Sequence, residues 1–164
     1  RQKEIAKTFV GSNYSKEELY QLQKFIKETY NLTHIDFELE VEKSGVFEFQ
    51  HSEKYGKSGE YVLIDEGNIV QAIKDKDLIY GLYFNTDFDG IDSRRDKTVI
   101  IAKWTEVNSK GKSKIVNNMF LWGNPLDEWS ALREVSIGDD PATYRLDIYD
   151  LNKQKVYTRD FVVN

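Results

Sequence analysis

The chain has 164 residues, 19.2 kDa, no cysteine, and a formal charge of −5 from 23 basic and 28 acidic side chains. Its 3 Trp, 10 Tyr and 9 Phe exclude a disordered tail, and no apolar run approaches the roughly 18–20 residues that span a membrane. The acidic balance argues against nucleic acid as a partner, and the missing thiols remove cysteine catalysis, disulfides and zinc-cysteine sites. In chain order, the first predicted element is a helix over residues 15–30. Ser15 and Glu18 form a capping box, and Leu19, Leu22, Ile26 and Tyr30 share one face. From residue 35 the period changes to two: Ile35, Phe37, Leu39 and Val41 alternate with Asp36, Glu38, Glu40 and Glu42, which reads as a strand with one buried face. Lys43-Ser44-Gly45 is expected to turn the chain into a second strand, Val46–Gln50. Tyr61–Ile64 and Ile69–Ile73 flank Asp65-Glu66-Gly67-Asn68 as a tight hairpin. A sheet of these four strands curled around the helix would bury both apolar faces.

Lys74-Asp75-Lys76-Asp77 is a short polar break, so the expected division is an α+β unit at 1–76 followed by a β-unit at 77–164. Strands are predicted at Leu78–Phe84, Thr98–Val107 and Ile115–Trp122, the last two joined by an Asn108–Gly111 hairpin. Asn124 and Pro125 have the chemistry of a helix start, and Leu126, Trp129 and Leu132 fit one face of a short helix at 125–132. Thr143–Tyr149 and Lys155–Val163 close the chain as a hairpin about Asp150–Lys153.

Asp140-Pro141-Ala142-Thr143-Tyr144-Arg145-Leu146 reads D-x-A-x-Y-x-L. This resembles the tyrosine corner of immunoglobulin-like and fibronectin-like sandwiches, which opens their penultimate strand. Trp104 is similar to the tryptophan of their third strand. The resemblance covers residues 77–164 and implies that the Tyr144 ring is buried, with its hydroxyl bonded to backbone within 129–140. The fold class expected for the whole chain is therefore mainly β, with an α+β N-terminal part and an immunoglobulin-like β-sandwich behind it.

Several motifs carry candidate chemistry. Gly56-Lys57-Ser58 imitates the end of a phosphate-binding loop, but His51 stands where the first glycine belongs. The two histidines, His34 and His51, sit in no catalytic or zinc motif. The Asp36/Glu38/Glu40/Glu42 stripe reads as a solubilising face that also blocks edge pairing. Asn85, Asp87 and Asp89 place oxygen ligands at alternate positions, and with Gly90 and Asp92 they partly match a calcium loop. Arg94 and Arg95 are alternative partners for those carboxylates. Trp122 and Trp129 flank Gly123-Asn124-Pro125; exposed, they form a sugar- or protein-binding platform, and buried, Trp129 anchors its segment to the core.

With no catalytic constellation and no required cofactor beyond the candidate calcium ion, the reading is a non-enzymatic binding module. The start at Arg1 rather than methionine suggests a fragment or a mature form, and the expected setting is an exported or surface-associated bacterial protein, outside the cell, in the periplasm or on the cell surface, with the cytoplasm as the alternative. Its expected partner is a protein or a glycan. The alternatives are a carbohydrate-binding module or glycosidase accessory domain, and an enzyme using scattered carboxylates.

Overall fold

The alternating segments assemble into two facing sheets in the computed structural model, which describes residues 7–9, 16–29, 36–51, 59–88, 98–138 and 140–164. The elements are β1 (Lys7–Phe9), α1 (Lys16–Thr29), β2 (Phe37–Gln50), β3 (Glu60–Asp65), β4 (Ile69–Val70), β5 (Leu78–Phe88), β6 (Thr98–Val107), β7 (Ser113–Gly123), β8 (Trp129–Glu134), β9 (Ala142–Tyr149) and β10 (Lys155–Val163). One sheet has the order β1-β7-β6-β9-β10-β4 and the other β3-β2-β5-β8. Neighbours are antiparallel except β4, which lies parallel to β10.

Period-two patterning explains the core between the sheets. Leu82 and Phe84 of β5, Ile100 and Trp104 of β6, Trp129 of β8, Leu146 and Ile148 of β9, and Phe161 of β10 are all fully buried there. Burying side chains of this size contributes about 1.5–3 kcal/mol each. Trp104 lies edge-on to Tyr80 at 5.5 Å, and Phe84 stacks on Trp129 at 6.4 Å. The predicted hairpins between β6 and β7 and between β9 and β10 form through local polar chemistry. Asn108 Oδ1 accepts the N–H groups of Lys110 and Lys112, and Asp150 Oδ1 accepts those of Asn152 and Gln154.

Four expectations are corrected. First, residues 37–50 form one strand, not two strands about a turn at Lys43-Ser44-Gly45. A bulge between Val41 and Lys43 absorbs the change of phase. Before it, Phe37 and Leu39 face the core; after it, Ser44 and Val46 do, because they stand opposite the core-facing Leu82 and Tyr80. Phe47 is thereby turned to the outer face, against Tyr83 at 5.1 Å.

Second, β3 and β4 are not a hairpin. The turn between them carries the chain from one sheet to the other, so β3 pairs with β2 and β4 with β10. It is braced by Asp65 Oδ1, which accepts the Gly67 N–H at 2.8 Å.

Third, α1 does not sit inside the curve of β2. Leu22 packs on the outer face of the six-stranded sheet, against Val99, Ile101, Phe120 and Leu151, and Lys153 Nζ lies 4.4 Å from the centre of the Tyr20 ring. The inner face of β2 is already occupied: Phe37 meets Phe88 at 4.8 Å. Ile35, and the side chain of Ile26, lie outside the described residues.

Fourth, 125–132 is not a helix. Asn124 and Asp127 cap one another, through Asn124 N–H to Asp127 Oδ2 and Leu126 N–H to Asn124 Oδ1, but only one turn follows. The chain then enters β8, where pairing with β5 buries Trp129 and Ala131 at period two. The expected boundary after residue 76 separates neither sheet, because β2 pairs with β5 and β4 with β10 across it. The sandwich is built from both parts of the chain.

Candidate functional site

Three regions gather polar side chains. At one end of the sandwich the Tyr144 ring is buried, as the tyrosine-corner resemblance implies, but its hydroxyl donates to Glu106 Oε1 at 2.8 Å rather than to backbone. The register explains the partner, since Glu106 stands directly opposite Tyr144. Burial first, then the bond to the Glu106 carboxylate, pushes the Tyr144 hydroxyl up to about 12. Arg133 reaches this cluster from β8; its guanidinium lies 4.6 Å from the Tyr144 ring centre and 5.9 Å from that of Trp104, and its Nε donates to the Tyr80 hydroxyl. Facing aromatic rings stabilise a cation so placed.

A second region lies where β10 meets the β3–β4 turn, in an open depression of about 630 Å³ lined by Gly67, Asn68, Arg145, Lys155, Arg159 and Asp160, among others. Its charges are mutually engaged. Arg145 makes a two-pronged bridge to Asp160 at 2.8 and 3.2 Å, and Lys155 sits 3.5 Å from Asp147. Arg159 donates to Ser44 Oγ and to the carbonyls of Glu66 and Gly67, with its plane 4.7 Å from the Phe161 ring centre. The residue therefore ties β10 to β2 and to the turn between the sheets. Sequence reasoning missed Arg159, although parity was a usable signal: it shares the inward face of β10 with Phe161, and an inward cation requires partners.

The third region is acidic. Asp36, Phe37, Glu38 and Asp87 line a depression of about 400 Å³. Asp36 Oδ1 accepts from Asn152, and burial raises the nearby Asp150 carboxyl above its ordinary range, against the lowering effect of its two backbone bonds. Of the predicted calcium ligands, Asn85 donates its amide to Glu42 Oε2 at 3.2 Å, and Asp87 is exposed opposite Glu38. Asp89 and Asp92 lie outside the described residues, as do Arg94 and Arg95. Among the described residues no three His, Asp or Glu side chains gather as metal ligands.

The two tryptophans are placed differently. Trp129 is wholly buried on β8, and among the described residues its indole N–H has no acceptor. Its ring belongs to the core, as the buried alternative expected, though on a strand instead of a helix. Trp122 lies on β7, paired with Val99 and Lys7, and its side chain is outside the described part.

A feature that the motifs did not flag is the edge of the four-stranded sheet at β3. Phe49 donates its N–H to Asp77 O, toward β5, so Phe49 faces away from β3. Tyr61, directly opposite Phe49, and Leu63, two residues on, therefore point their N–H and C=O groups outward, away from β2. Tyr61 packs on Phe49 at 5.2 Å and donates its hydroxyl to Asp77 at 2.9 Å, and burial with that bond raises it to about 12. Across all described helices, none is long and apolar enough to cross a membrane. Compared with known proteins, the chain matches no family model and no curated relative.

Proposed function

We propose that the chain is a non-enzymatic, protein-binding module built on an immunoglobulin-like sandwich. The strand order supports the fold. With β5, β6, β8, β9 and β10 read as strands B, C, E, F and G of such domains, B lies beside E in one sheet and C, F and G are consecutive in the other. Trp104 stands opposite Leu146, and Tyr144 precedes Leu146 by two residues. The bond from Tyr144 to Glu106 is the departure from that pattern.

Fold by itself implies no activity, so the binding reading rests on one observation about the polar groups. Arg145, Lys155, Arg159, Arg133 and Tyr144 are each committed to a partner that holds the frame together. The four-stranded sheet, in contrast, ends at β3, whose outward backbone groups pair with none among the described residues. A rigid frame with an open edge suits recognition of another chain.

The test immobilises the folded protein and measures saturable binding to candidate protein ligands recovered by cross-linking, beside a glycan array. A protein ligand competed off by free chain, with a silent array, supports the reading. Array binding that disappears in Trp122→Ala, with no protein ligand, would replace it with the carbohydrate-binding alternative.

A further inference from the structure

We infer that β3 is a docking edge for an extended segment of another protein, with an apolar centre and basic residues at both ends. This deepens the binding-module reading and rests on it. Four backbone groups, the N–H and C=O of Tyr61 and of Leu63, point out from the sheet, and among the described residues none pairs with them. Such a row is a template for one more strand. An antiparallel strand bonded there sets two of its residues opposite Leu63 and Tyr61, with their side chains on the outer face.

That face is apolar. Leu63 stands opposite Phe47, and Tyr61 packs on Phe49. The two incoming residues should therefore be aliphatic or β-branched. The ends of β3 are acidic and exposed: Glu60 at one, Asp65 and Glu66 at the other. In the same register a residue opposite Glu60 and one opposite Asp65 complete the contact, and opposite charge there is favourable. The resulting pattern is basic, any, apolar, any, apolar, basic.

The same charges argue against a second copy of this chain as the occupant. Two β3 strands paired antiparallel through Val62 match Tyr61 with Leu63 but set Glu60 opposite Ile64 and Asp65 opposite Gly59, so no basic residue meets either carboxylate and the acidic ends of both copies are gathered along one seam. The other edge of this sheet is closed differently. β8 points Arg133 toward the interior, a device that disfavours strand addition. The bulge in the β2–β3 ladder at Ile64 ends the regular part of β3 and limits the docked segment to a few residues.

The experiment measures binding of a labelled, end-capped peptide, Lys-Thr-Val-Thr-Val-Lys, to the intact protein by fluorescence anisotropy. Controls are the same peptide with glutamate at both ends and with the two valine amides N-methylated. The basic peptide should bind, and both controls should lose at least about tenfold in affinity, the equivalent of one or two backbone bonds. Leu63→Pro removes an N–H that faces away from β2, so the fold persists while binding falls by a similar factor. Glu60→Lys with Asp65→Lys should reverse the preference to the glutamate-ended peptide, a result that mere loss of folding does not produce. Equal binding of all three peptides, or no loss in folded Leu63→Pro, overturns the proposal. Dimerisation abolished by Leu63→Pro, without peptide binding, overturns it in favour of a second copy. A protein ligand that binds wild type and Leu63→Pro equally overturns the docking edge but leaves the binding-module reading intact.

Discussion

Arg159→Met isolates what the guanidinium does between the sheets. The methionine keeps most of the aliphatic stem over Phe161 and removes the donors to Ser44 Oγ, Glu66 O and Gly67 O. Hydrogen bonds from a charged donor are worth about 1.5–3 kcal/mol each when the acceptor is otherwise dry. Two of the three acceptors here belong to exposed turn residues that water can serve once the arginine is gone. Ser44 is buried but still donates to Gly81 O at 3.1 Å, so its hydroxyl is not orphaned. The net loss should therefore be about 2–3 kcal/mol, well under the sum of three dry bonds. Arg159→Lys, one compact charge that cannot span three acceptors, should recover about half of that. Urea unfolding gives the free energies, and amide exchange at Gly67 and Asn68 should rise in step, because the turn loses its brace. An Arg159→Met protein within about 0.5 kcal/mol of wild type would refute the view that this residue joins the sheets.

Four further outcomes follow from the same geometry. Gly81→Ala should destabilise by about 3 kcal/mol or more in urea titration, because a Cβ there would lie 2.1 Å from Ala131 O at a φ of +141°; wild-type stability would mean that the β5–β8 pairing is misplaced. Tyr144→Phe should cost about 1 kcal/mol at neutral pH. The fold favours the protonated phenol, whose pKa rises to about 12, so this contribution is intact below pH 10 and is lost as pH rises from 10 to 12; the fall of stability over that window, measured by urea unfolding, should be shallower in the mutant. Leu22→Ala should cost about 1–2 kcal/mol, less than a fully buried leucine, since Leu22 is only half buried against the outer face; a thermal or urea melt checks it. Micromolar calcium should leave the melting temperature unchanged, because Asn85 is turned to Glu42 and Asp87 is exposed; a large shift that vanishes in Asp87→Asn with Asp89→Asn would establish a tight site.

What the residues determined by themselves was local. The alternation of Val99, Ile101 and their neighbours, the Asn108–Gly111 and Asp150–Lys153 turns, and the helix after Ser15 depend on side-chain period and on hydrogen bonds within four or five residues. The burial of Tyr144 and Trp104 was legible for the same reason: each lies in phase with its strand's apolar face. Everything that turned on a partner distant in sequence was decided by the tertiary structure. A period-two pattern states which face of a strand is dry but not which strand lies beside it, so the parting of β3 from β4 into different sheets had no local sign. The phase change in β2 needs β5 alongside to define the bulge. At 124–134 the capped turn and the spacing of Leu126, Trp129 and Leu132 suit a helix as well as a strand; the free edge of β5, which needed a partner for its backbone groups, settled it as β8. The candidate docking edge is of the same kind. Tyr61 and Leu63 look like ordinary strand residues until the direction of the Phe49 amide shows which of their backbone groups the sheet leaves open.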